Sequence, residues 1–475
     1  MNKPHVVILG AGPAGLGAAF QLSHRGQAQV TVLERNSVVG GNAGSFKLAG
    51  LSVDYGSHRL HPACDPAVLQ DIREMLNSDL LDRPRHGRIR LRGHWIHFPL
   101  KPFDLAFKLP PSFIYGVATD LVGKVLPHKA NGAVAETFSS ILERGLGQTI
   151  CRDFYFPYAR KLWGLDPDEL SATQARRRVS AGSLAKMARK VLAAVPGLKP
   201  PGSGRFYYPR HGYGQISEAY YQAAQTAGAK FHLNASVQSV EITQDNPATV
   251  CFTLNGESHS VNSNYVWSTI PITVLARCLK PSPPSEYLEA AQSIDYRAMI
   301  LIYLVLEQQQ FTAYDAHYFP EAHIPISRLS EPKNYSASSE PRNRTVLCAE
   351  LPCSPDDPQW KMTDEQLRNL LCDALASAGI PVQSPVLQVV TRRLRQAYPI
   401  YRRGYESSFD LLDQWLSQVD GLLTFGRQGL FAHDNTHHAL YMAYAAADCL
   451  DVEGRFDAER WNNCRRIFET HVVED

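Results

Sequence analysis

The stretch His5–Arg35 (HVVILGAGPAGLGAAFQLSHRGQAQVTVLER) constrains the fold of this chain more than any other segment. A short apolar run leads into Gly10, Gly12 and Gly15, which have the spacing G-x-G-x-x-G, and a helical pattern and a second β-branched run follow. Gly10 permits a tight turn out of the first strand, and Gly12 leaves room for a pyrophosphate to approach the backbone. Gly15 lets the helix pack closely against the sheet. The spacing therefore predicts a strand–turn–helix–strand unit that binds phosphate.

The residues that begin this helix and the acid that ends the second strand complete the pattern. Pro13 and Ala14 lie at the predicted helix N-terminus, where unpaired N–H groups and a partial positive charge attract phosphate. Glu34 lies about 20 residues downstream, where a carboxylate accepts hydrogen bonds from the hydroxyls of an adenosine ribose. Since all parts fall within the expected ~30 residues, we interpret the unit as a dinucleotide site and not as a structural turn of an unrelated α/β domain.

The residues that follow Glu34 indicate which dinucleotide binds. Arg35 is followed by Gly40, Gly41 and Asn42, and this second glycine pair brings further backbone N–H groups toward the pyrophosphate of a long, extended cofactor. The arrangement favours FAD over NAD. It resembles the flavoprotein motif of the superfamily that contains amine oxidases, protoporphyrinogen oxidases and UDP-galactopyranose mutases. The chain has no second G-x-G-x-x-G, so a separate NAD(P)H domain is not expected.

The length and the resemblance together predict the domain organisation. At 475 residues the chain is too long for one simple core, so two intertwined domains are expected. The resemblance implies an α/β fold with a Rossmann-like FAD-binding domain assembled from residues 1–60, 205–280 and 416–475. Residues 61–204 then form a helical insertion over the substrate, and residues 281–415 form the sheet of a mixed α+β substrate domain.

Local patterns place individual elements in this scheme. Polar and apolar residues alternate over Ile89–Pro99, which predicts a hairpin. The stretch Phe103–Arg189 is mostly helical in pattern, and Lys199–Ser203 (KPPGS) is a predicted linker. The apolar run Asp295–Leu306 predicts a strand of the substrate sheet. The segment Ala397–Tyr405 (AYPIYRRGY) is interpreted as tyrosines and arginines arranged around a proline turn.

Composition narrows the class of function. The formal charge is +2 and charged residues make up 20% of the chain, so no charged field is expected to attract nucleic acid. The nine cysteines lack C-x-x-C or metal-ligand spacing, which predicts mostly buried thiols in a reducing cytoplasm and no metal site. Neither a signal peptide nor a transmembrane helix is expected, because no stretch reaches about 18 uncharged apolar residues. Peripheral membrane contact through Phe103–Leu126 is a minor alternative, and the oligomeric state is not predicted.

Two segments are expected near the flavin ring. In VDYGSHRLH, Gly56 permits a turn that presents His58, and the resemblance places such a G-x-H segment beside the isoalloxazine. A solvated surface loop is the alternative. Near the C-terminus an apolar strand ends at Gly426 and Arg427, and a helix rich in small residues begins near His438. The positive N-terminus of that helix, aimed at the N1–C2=O edge, would stabilise the anionic reduced flavin.

The C-terminal motif is more similar to the mutase branch than to the oxidases, with two departures. Gly426, Arg427 and Asn435 occupy the Gly, Arg and Asn positions of the mutase pattern. That pattern has Tyr before the Asn and Asp after it, whereas this chain has His433 and His437. The Tyr binds sugar-nucleotide phosphate in the mutases. A histidine pair beside a flavin can instead serve as acid and base during substrate oxidation.

The resemblance also implies a set of residues at the substrate. These are Phe154, Tyr158, Trp163, Arg297, Tyr398, Tyr401 and His433. The first three belong to an aromatic helix, FYFPYARKLWG, whose stripe of rings is alternatively a core face. The arginine begins a predicted strand and faces either phosphate or solvent, and the two tyrosines lie in the Tyr-Pro segment. In the same superfamily the backbone of a returning strand, near Val237, pairs with the adenine.

These expectations lead to one leading function and two alternatives. The leading hypothesis is an FAD-dependent oxidoreductase that removes hydride from a C–N, C–O or C–C bond of a small molecule. His58 and His437 would handle protons, and Arg427 would stabilise charge near the ring. The first alternative is a sugar-nucleotide mutase in which reduced flavin N5 attacks the anomeric carbon of a nucleotide-sugar or another anionic compound. The second is a flavin-containing protein without turnover.

Overall fold

The computed structural model describes residues 3–125, 136–178, 204–242 and 248–473. The helical pattern predicted beyond residue 178 and the predicted linker Lys199–Ser203 lie outside the described residues. The strands of the described part are β1 His5–Leu9, β2 Gln29–Leu33, β3 Ser45–Leu48, β4 Leu51–Asp54, β5 Leu80–Pro84, β6 Gly87–Leu91, β7 His94–Phe98, β8 Arg205–Pro209, β9 Lys230–His232, β10 Ala235–Glu241, β11 Ala248–Leu254, β12 Glu257–Ser263, β13 Tyr265–Ser268, β14 Leu279–Lys280, β15 Asp295–Leu306, β16 Ala316–Tyr318, β17 Arg328–Ser330, β18 Thr345–Cys353, β19 Val386–Ile400 and β20 Leu422–Thr424.

The helices of the described part follow in the same order. They are α1 Pro13–His24, α2 Pro66–Leu76, α3 Pro102–Phe107, α4 Pro111–Val125, α5 Phe138–Leu146, α6 Gln148–Ile150, α7 Phe156–Trp163, α8 Ala172–Arg178, α9 Gln215–Thr226, α10 Ile272–Cys278, α11 Ser285–Ser293, α12 Pro332–Ser336, α13 Asp364–Ser377, α14 Tyr405–Ser417, α15 Gly426–Gly429, α16 Thr436–Asp448 and α17 Ala458–Phe468. A π-helical turn, Cys151–Tyr155, precedes α7. The helical pattern predicted over Phe103–Arg189 is confirmed over the described residues of that stretch.

A five-stranded parallel sheet forms the centre of the nucleotide domain. Its strand order is β20-β13-β1-β2-β9, so its strands come from the beginning, the middle and the end of the chain. Val6 and Ile8 point into one hydrophobic core, Val7 and Leu9 point into the other, and all four side chains are fully buried. Helices cover both faces of the sheet, which is why its strands are apolar throughout. The predicted Rossmann-like α/β fold is confirmed.

Small residues bring the two ends of the chain together on one face of this sheet. Helix α1 packs against α16, and a Cβ atom added to Gly17 would lie 3.0 Å from the Cβ of Ala443. Ala443 and Ala446 are fully buried. The small residues of the C-terminal helix therefore let it pack closely against α1.

A second large sheet draws most of its strands from residues 281–415, the range predicted for the substrate domain. A seven-stranded sheet has the order β19-β15-β18-β17-β16-β6-β7, and β15 coincides with the predicted strand Asp295–Leu306. The predicted hairpin is β6–β7, in which Leu91 pairs with His94 across Arg92 and Gly93. Both turn residues have positive φ, 51° and 81°, as a two-residue hairpin turn requires.

Two local predictions need correction. The segment predicted as a proline turn is the end of strand β19, in which Pro399 pairs with Tyr296 and the strand continues to Ile400. Proline is tolerated there because β19 is an edge strand, paired on one side only, so its missing N–H breaks no ladder. The C-terminal helix begins at Thr436, two residues before the predicted start, because Asn435 is its N-cap residue.

Two further observations concern possible membrane-spanning helices and the state of the cysteines. In the described part of the chain, no helix is both long and apolar enough to cross a membrane. All nine cysteines are free thiols, and five of them are buried.

Candidate active site

The glycine turn at the end of β1 has the geometry that the spacing predicts. Gly10 has φ of +96°, and its N–H donates to the carbonyl oxygen of Leu33 at 2.8 Å. A Cβ atom on Gly15 would lie 2.0 Å from the carbonyl oxygen of Gly10, so only glycine allows α1 to approach β1 this closely. A Cβ atom on Gly12 would meet nothing within 4 Å. The turn is thus tight where the helix packs and open where a pyrophosphate would lie.

The start of α1 has no side-chain cap. Gly12 is the N-cap residue, Pro13 is the first helical residue and Ala14 follows, so no side chain satisfies the first N–H groups of the helix. Gly40 and Gly41 both have positive φ, 104° and 53°. A Cβ atom on Gly41 would lie 3.4 Å from the Cα of Gly12, so the second glycine pair adjoins the first turn. The predicted phosphate cradle fits an extended dinucleotide.

The acidic end of β2 is buried next to the strand predicted to reach the adenine. Glu34 is buried, and its carboxylate accepts hydrogen bonds from the N–H groups of Ala11 and Asn36, both at 2.8 Å. The N–H of Ala235 donates to the carbonyl oxygen of Glu34 at 2.8 Å, and the register of β10 shifts at Val237. The roles of Glu34 and Val237 stay predictions.

Asn42 and Arg35, which are also predicted to bind the cofactor, lie in different environments. The side-chain amide of Asn42 donates to the carbonyl oxygen of Gln396 at 3.3 Å, and Gln428 donates to the same oxygen at 2.9 Å. Asn42 therefore links the second glycine pair to β19 and α15. Arg35 is exposed.

The C-terminal motif lies directly against the N-terminal one. Gly426 has φ of +80°, and a Cβ atom there would lie 2.6 Å from the Cβ of Ala14. Arg427 donates to the carbonyl oxygens of Asp434 at 3.1 Å and of Ala397 at 2.9 Å, so it joins the loop to β19. Burial lowers the pKa of Arg427. The guanidinium of Arg427 thus fixes the position of this loop and adds positive charge beside it.

His58 lies inside the protein and not on a surface loop. Gly56 has φ of +105°, as the predicted turn requires, and His58 is half-buried. Its Nε2 lies 3.0 Å from the carbonyl oxygen of Tyr55, and its ring stacks on Tyr213 at 5.2 Å. Burial lowers the pKa of His58 although Asp54 opposes the effect. A neutral ring that donates through Nε2 leaves Nδ1 free to accept a proton.

A histidine cluster lies at the N-terminus of α16. The ring of His437 is 4.1 Å from that of His438 and 6.5 Å from that of His61. Burial, with the neighbouring histidines, lowers the pKa of His437 to about 4 and that of His438 to about 2. Nδ1 of His437 is buried and has no hydrogen-bond partner among the described residues. His437 is therefore neutral at physiological pH and able to accept a proton.

His438 belongs to a separate group with Asp434 and His471. The three potential ligand atoms lie within 4.8 Å of one another. Nδ1 of His438 accepts the N–H of Asn435 at 3.3 Å, and the rings of His438 and His471 stack at 4.3 Å with an angle of 15°. Nearly parallel rings direct their nitrogen lone pairs side by side. The geometry favours a hydrogen-bonded helix cap over metal coordination.

Four of the seven predicted substrate residues come together around His433. Its ring is 4.8 Å from Tyr401, 6.4 Å from Tyr398 and 6.4 Å from Trp163. His433 is buried, and neither ring nitrogen makes a hydrogen bond of good geometry within the described residues, although the backbone of Pro399 lies nearby. Burial, reinforced by neighbouring arginines, lowers its pKa well below the ordinary value. A neutral ring with so little of its hydrogen-bond capacity used is available for a polar contact with a ligand.

Three arginines face these aromatic rings. Arg177 donates to the hydroxyl of Tyr401 at 3.3 Å. The guanidinium carbons of Arg178 and Arg427 lie 5.5 Å and 5.2 Å from the centre of the Tyr398 ring. Within the described part of the chain, no carboxylate lies within 4.0 Å of these three guanidinium groups. We name this set, Trp163, Tyr398, Tyr401 and His433 with Arg177, Arg178 and Arg427, the arginine–tyrosine pocket.

Sequence reasoning missed one further arginine. Arg328 donates to Glu350 through Nε at 3.0 Å and Nη2 at 2.8 Å, and the pair is buried beside Tyr158 and Tyr398. Glu350 also accepts the N–H of Ser57 at 2.8 Å, which ties the pair to the His58 turn. The sequence did contain one indication of this pair. Glu350 is the single carboxylate in the apolar strand β18, and a buried carboxylate needs a charged partner.

The remaining predicted substrate residues lie in two different environments. Phe154 and Tyr158 stack at 5.9 Å, so these two share a face as predicted. Arg297 is buried, donates to Oγ of Ser354 at 2.6 Å and packs against Gly164, so the exposed alternative does not hold. Asp357 lies 3.8 Å from the same guanidinium, whereas the Nε of Arg297 is buried and has no hydrogen-bond partner among the described residues.

The fold agrees with comparisons to known proteins. The family model described as flavin-containing amine oxidoreductase matches residues 13–446. The chain belongs to this family. The predicted superfamily and the FAD cofactor are thereby confirmed, and the match supports an enzyme of this family.

The similar proteins include both a mutase and an oxidase. The chain is 25% identical to a probable UDP-galactopyranose mutase of Klebsiella pneumoniae over 37% of its length, and 29% identical to protoporphyrinogen oxidase 2 of Arabidopsis thaliana over 36%. The matches span 45% and 35% of those proteins, less than two thirds of their lengths. A crystal structure of reduced UDP-galactopyranose mutase is similar in fold, with a TM-score of 0.81 and 21% identity over 99% of this chain and 100% of that one.

Acid is expected to destabilise this flavoprotein through His437. The ordinary pKa of histidine is 6.5, and in the folded protein the pKa of His437 is lowered to about 4. Between these values the unfolded chain binds a proton that the folded chain does not. The free energy of unfolding is therefore highest above pH 6.5 and falls as the pH drops toward 4, by at most about 1.4 kcal/mol per pH unit. Denaturant unfolding at a series of pH values measures this slope.

His437→Gln should make the acid slope shallower, because the titrating group is removed. His323→Gln is the matched control, since that side chain is 59% exposed. An equal slope in wild type and His437→Gln would contradict the expectation.

Proposed function

We propose that this chain is an FAD-dependent enzyme that acts on an anionic small molecule. The observation that carries the proposal is the arginine–tyrosine pocket, in which three guanidinium groups have no carboxylate within 4.0 Å among the described residues, while Asp434 and Glu469 act on them from farther away. All three arginines are half-buried, and positive charge that is partly withdrawn from water is stabilised by a counter-charge, so the pocket favours a ligand that brings negative charge. It disfavours a cationic amine as the substrate.

The free thiols also support the predicted cytoplasmic location.

The leading reaction is oxidation by hydride transfer to the flavin. The glycine turns would hold the pyrophosphate, and α16 would direct its N-terminus at the flavin ring; when bound, FAD supplies the hydride acceptor. His437 supports this reaction because its buried, unpartnered Nδ1 is available to accept a proton from the substrate. His58, also neutral, is the second candidate for a proton acceptor, and Arg427 would stabilise developing negative charge.

A mutase reaction on a nucleotide-sugar is the second candidate. Its specific support is that Trp163, Tyr398 and Tyr401 gather around His433, at the position where the mutase pattern has a tyrosine. A neutral imidazole N–H can donate to a phosphate oxygen as a tyrosine hydroxyl does. The likeness in fold to reduced UDP-galactopyranose mutase agrees with this reaction.

Flavin spectra under anaerobic conditions distinguish the two reactions. We expect an oxidisable anionic substrate to bleach the oxidised flavin and air to restore its colour. A mutase instead requires prior reduction with dithionite and keeps its flavin reduced through each turnover, and UDP-sugars would perturb the reduced spectrum. Purified protein that carries no flavin would overturn the proposal. If neither anionic substrates nor UDP-sugars change the spectrum of the bound flavin, the proposal of an anionic substrate is overturned.

A further inference from the structure

A second cavity, of about 500 Å³, lies between the end of β5, the loop that joins β15 to β16 and the segment after α12. None of its lining residues belongs to the arginine–tyrosine pocket or to the glycine turns. Among the described residues that line it there is no phenylalanine, tyrosine or tryptophan. The volume is typical of a small-molecule site, whereas the polar lining excludes an apolar ligand. We name this cavity, whose polar side chains include Arg83, His86, Gln309, Asp315, Lys333 and Ser339, the β5 cavity.

Two charged side chains of the lining are already satisfied within the protein. Asp315 is buried, and its carboxylate accepts hydrogen bonds from Nη2 of Arg59 at 3.3 Å and from the N–H of His86 at 3.1 Å. The ammonium group of Lys333 is also buried and donates to three backbone carbonyl oxygens. These two side chains shape the wall of the cavity, and neither of them is free to bind a ligand.

Arg83, by contrast, remains available. Its Nε is buried and has no hydrogen-bond partner among the described residues, and no carboxylate of the described chain lies within 4.0 Å of its guanidinium group. Asp82, the preceding residue, pairs with Arg205 at 2.8 Å instead. Glu340, which follows Ser339, pairs with Arg342 at 3.1 Å. Because a buried donor without an acceptor is costly, the guanidinium group of Arg83 favours an occupant that supplies anionic oxygen atoms.

The uncharged side chains of the lining add acceptors and further donors. Nδ1 of His86 lies 2.9 Å from the carbonyl oxygen of Ala313. Since a carbonyl oxygen only accepts, Nδ1 carries the proton in the neutral ring and Nε2 is an acceptor. The ring of Tyr314, 4.6 Å away, holds this imidazole in place. The side chains of Gln309 and Ser339 are exposed and make no hydrogen bond within the described residues, so they too can bind hydroxyl groups.

We propose that the β5 cavity binds a small hydroxylated anion of the sugar-phosphate class. The guanidinium group of Arg83 donates to the phosphate oxygens, and Nε2 of His86 accepts a hydrogen bond from a sugar hydroxyl. Gln309 and Ser339 bind the remaining hydroxyls. A nucleotide fits less well, because the described lining offers no aromatic side chain of phenylalanine, tyrosine or tryptophan to stack on a base.

Calorimetric titration of the full-length, flavin-loaded protein with glucose 6-phosphate tests the proposal. We expect Arg83→Gln to weaken binding at least about tenfold, because it removes the charged donor. Arg178→Gln, which alters the arginine–tyrosine pocket, should leave binding unchanged. His86→Ala should weaken the binding of glucose 6-phosphate about fivefold and leave that of inorganic phosphate unchanged, because only the sugar supplies the hydroxyl groups.

Arg342→Gln is the matched control, since that side chain is 80% exposed and its loss removes the same charge outside the lining. Flavin absorbance and melting temperature verify that each variant folds. Wild-type protein that does not bind glucose 6-phosphate overturns the proposal, and so does Arg83→Gln protein that binds it as tightly as wild type does. Tighter binding of gluconate, a hydroxylated carboxylate, overturns the phosphate class. Loss of binding in Arg178→Gln alone assigns the probe to the arginine–tyrosine pocket, which overturns this proposal and leaves the proposed function standing.

Discussion

A Gly12→Ala variant is expected to fold normally and to lose most of its flavin. A methyl group on Gly12 meets no protein atom within 4 Å, so the fold has room for it. That room lies at the uncapped N-terminus of α1, where the pyrophosphate would approach the backbone. We expect FAD affinity to fall at least tenfold, or about 1.4 kcal/mol. The ratio of flavin to protein after purification, and titration of the apoprotein with FAD, measure the loss.

Gly15→Ala is the companion variant, and it should fail differently. Its methyl group would lie 2.0 Å from the carbonyl oxygen of Gly10, so α1 has to move away from β1. We therefore expect the apoprotein itself to melt at a lower temperature, whereas the Gly12→Ala apoprotein melts as wild type does. Full flavin content in Gly12→Ala would mean that the phosphates do not rest on this turn.

Replacing Arg178 by glutamine is expected to weaken the binding of an anionic probe by about 10- to 100-fold, or about 1.4 to 2.7 kcal/mol. Its guanidinium carbon lies 5.5 Å from the Tyr398 ring, and no carboxylate of the described chain lies within 4.0 Å of it. The charge is thus available to a ligand. Calorimetric titration with UDP, and separately with inorganic pyrophosphate, measures the change.

Arg176→Gln provides a control two positions away. Arg176 pairs with Glu136 and its side chain is 57% exposed, so its removal takes charge from the same helix without touching the pocket. We expect that variant to bind the probes as wild type does. Equal weakening in both variants would point to the net charge of α8 in general. Failure of the wild-type protein to bind either probe would remove the support for an anionic substrate.

The parts of the site that could be predicted are those whose chemistry is local in sequence. The G-x-G-x-x-G turn, the hairpin around Gly93 and the turn at Gly56 each depend on a few consecutive residues with special backbone angles. Strand β15 coincides with its predicted range because an uninterrupted apolar run has few other ways to be buried. Pro399 shows where local prediction fails. A proline usually indicates a turn, and the sequence alone does not show that its strand lies at the edge of a sheet, where proline is tolerated.

Other parts of the site depend on partners that are far apart in the chain. Arg328 became a candidate only when its bond to Glu350 placed it beside Tyr158 and Tyr398. The state of His437 likewise depends on burial and on His61, which lies on a distant segment. Neither spacing nor composition carries this information, because a pKa is a property of the surroundings.

By itself, the sequence determined the α/β class, the flavin superfamily and the place of the phosphate turn, because glycine backbone angles and apolar periodicity act over short distances. Only the tertiary structure decided that Trp163, Tyr398, Tyr401 and His433 share one pocket with arginines that have no carboxylate within 4.0 Å in the described part of the chain. It also decided that α3 and α4 keep apolar side chains on their outer face. Burial and the distances between charges exist only once remote segments have packed together, and these quantities determine what a site can bind.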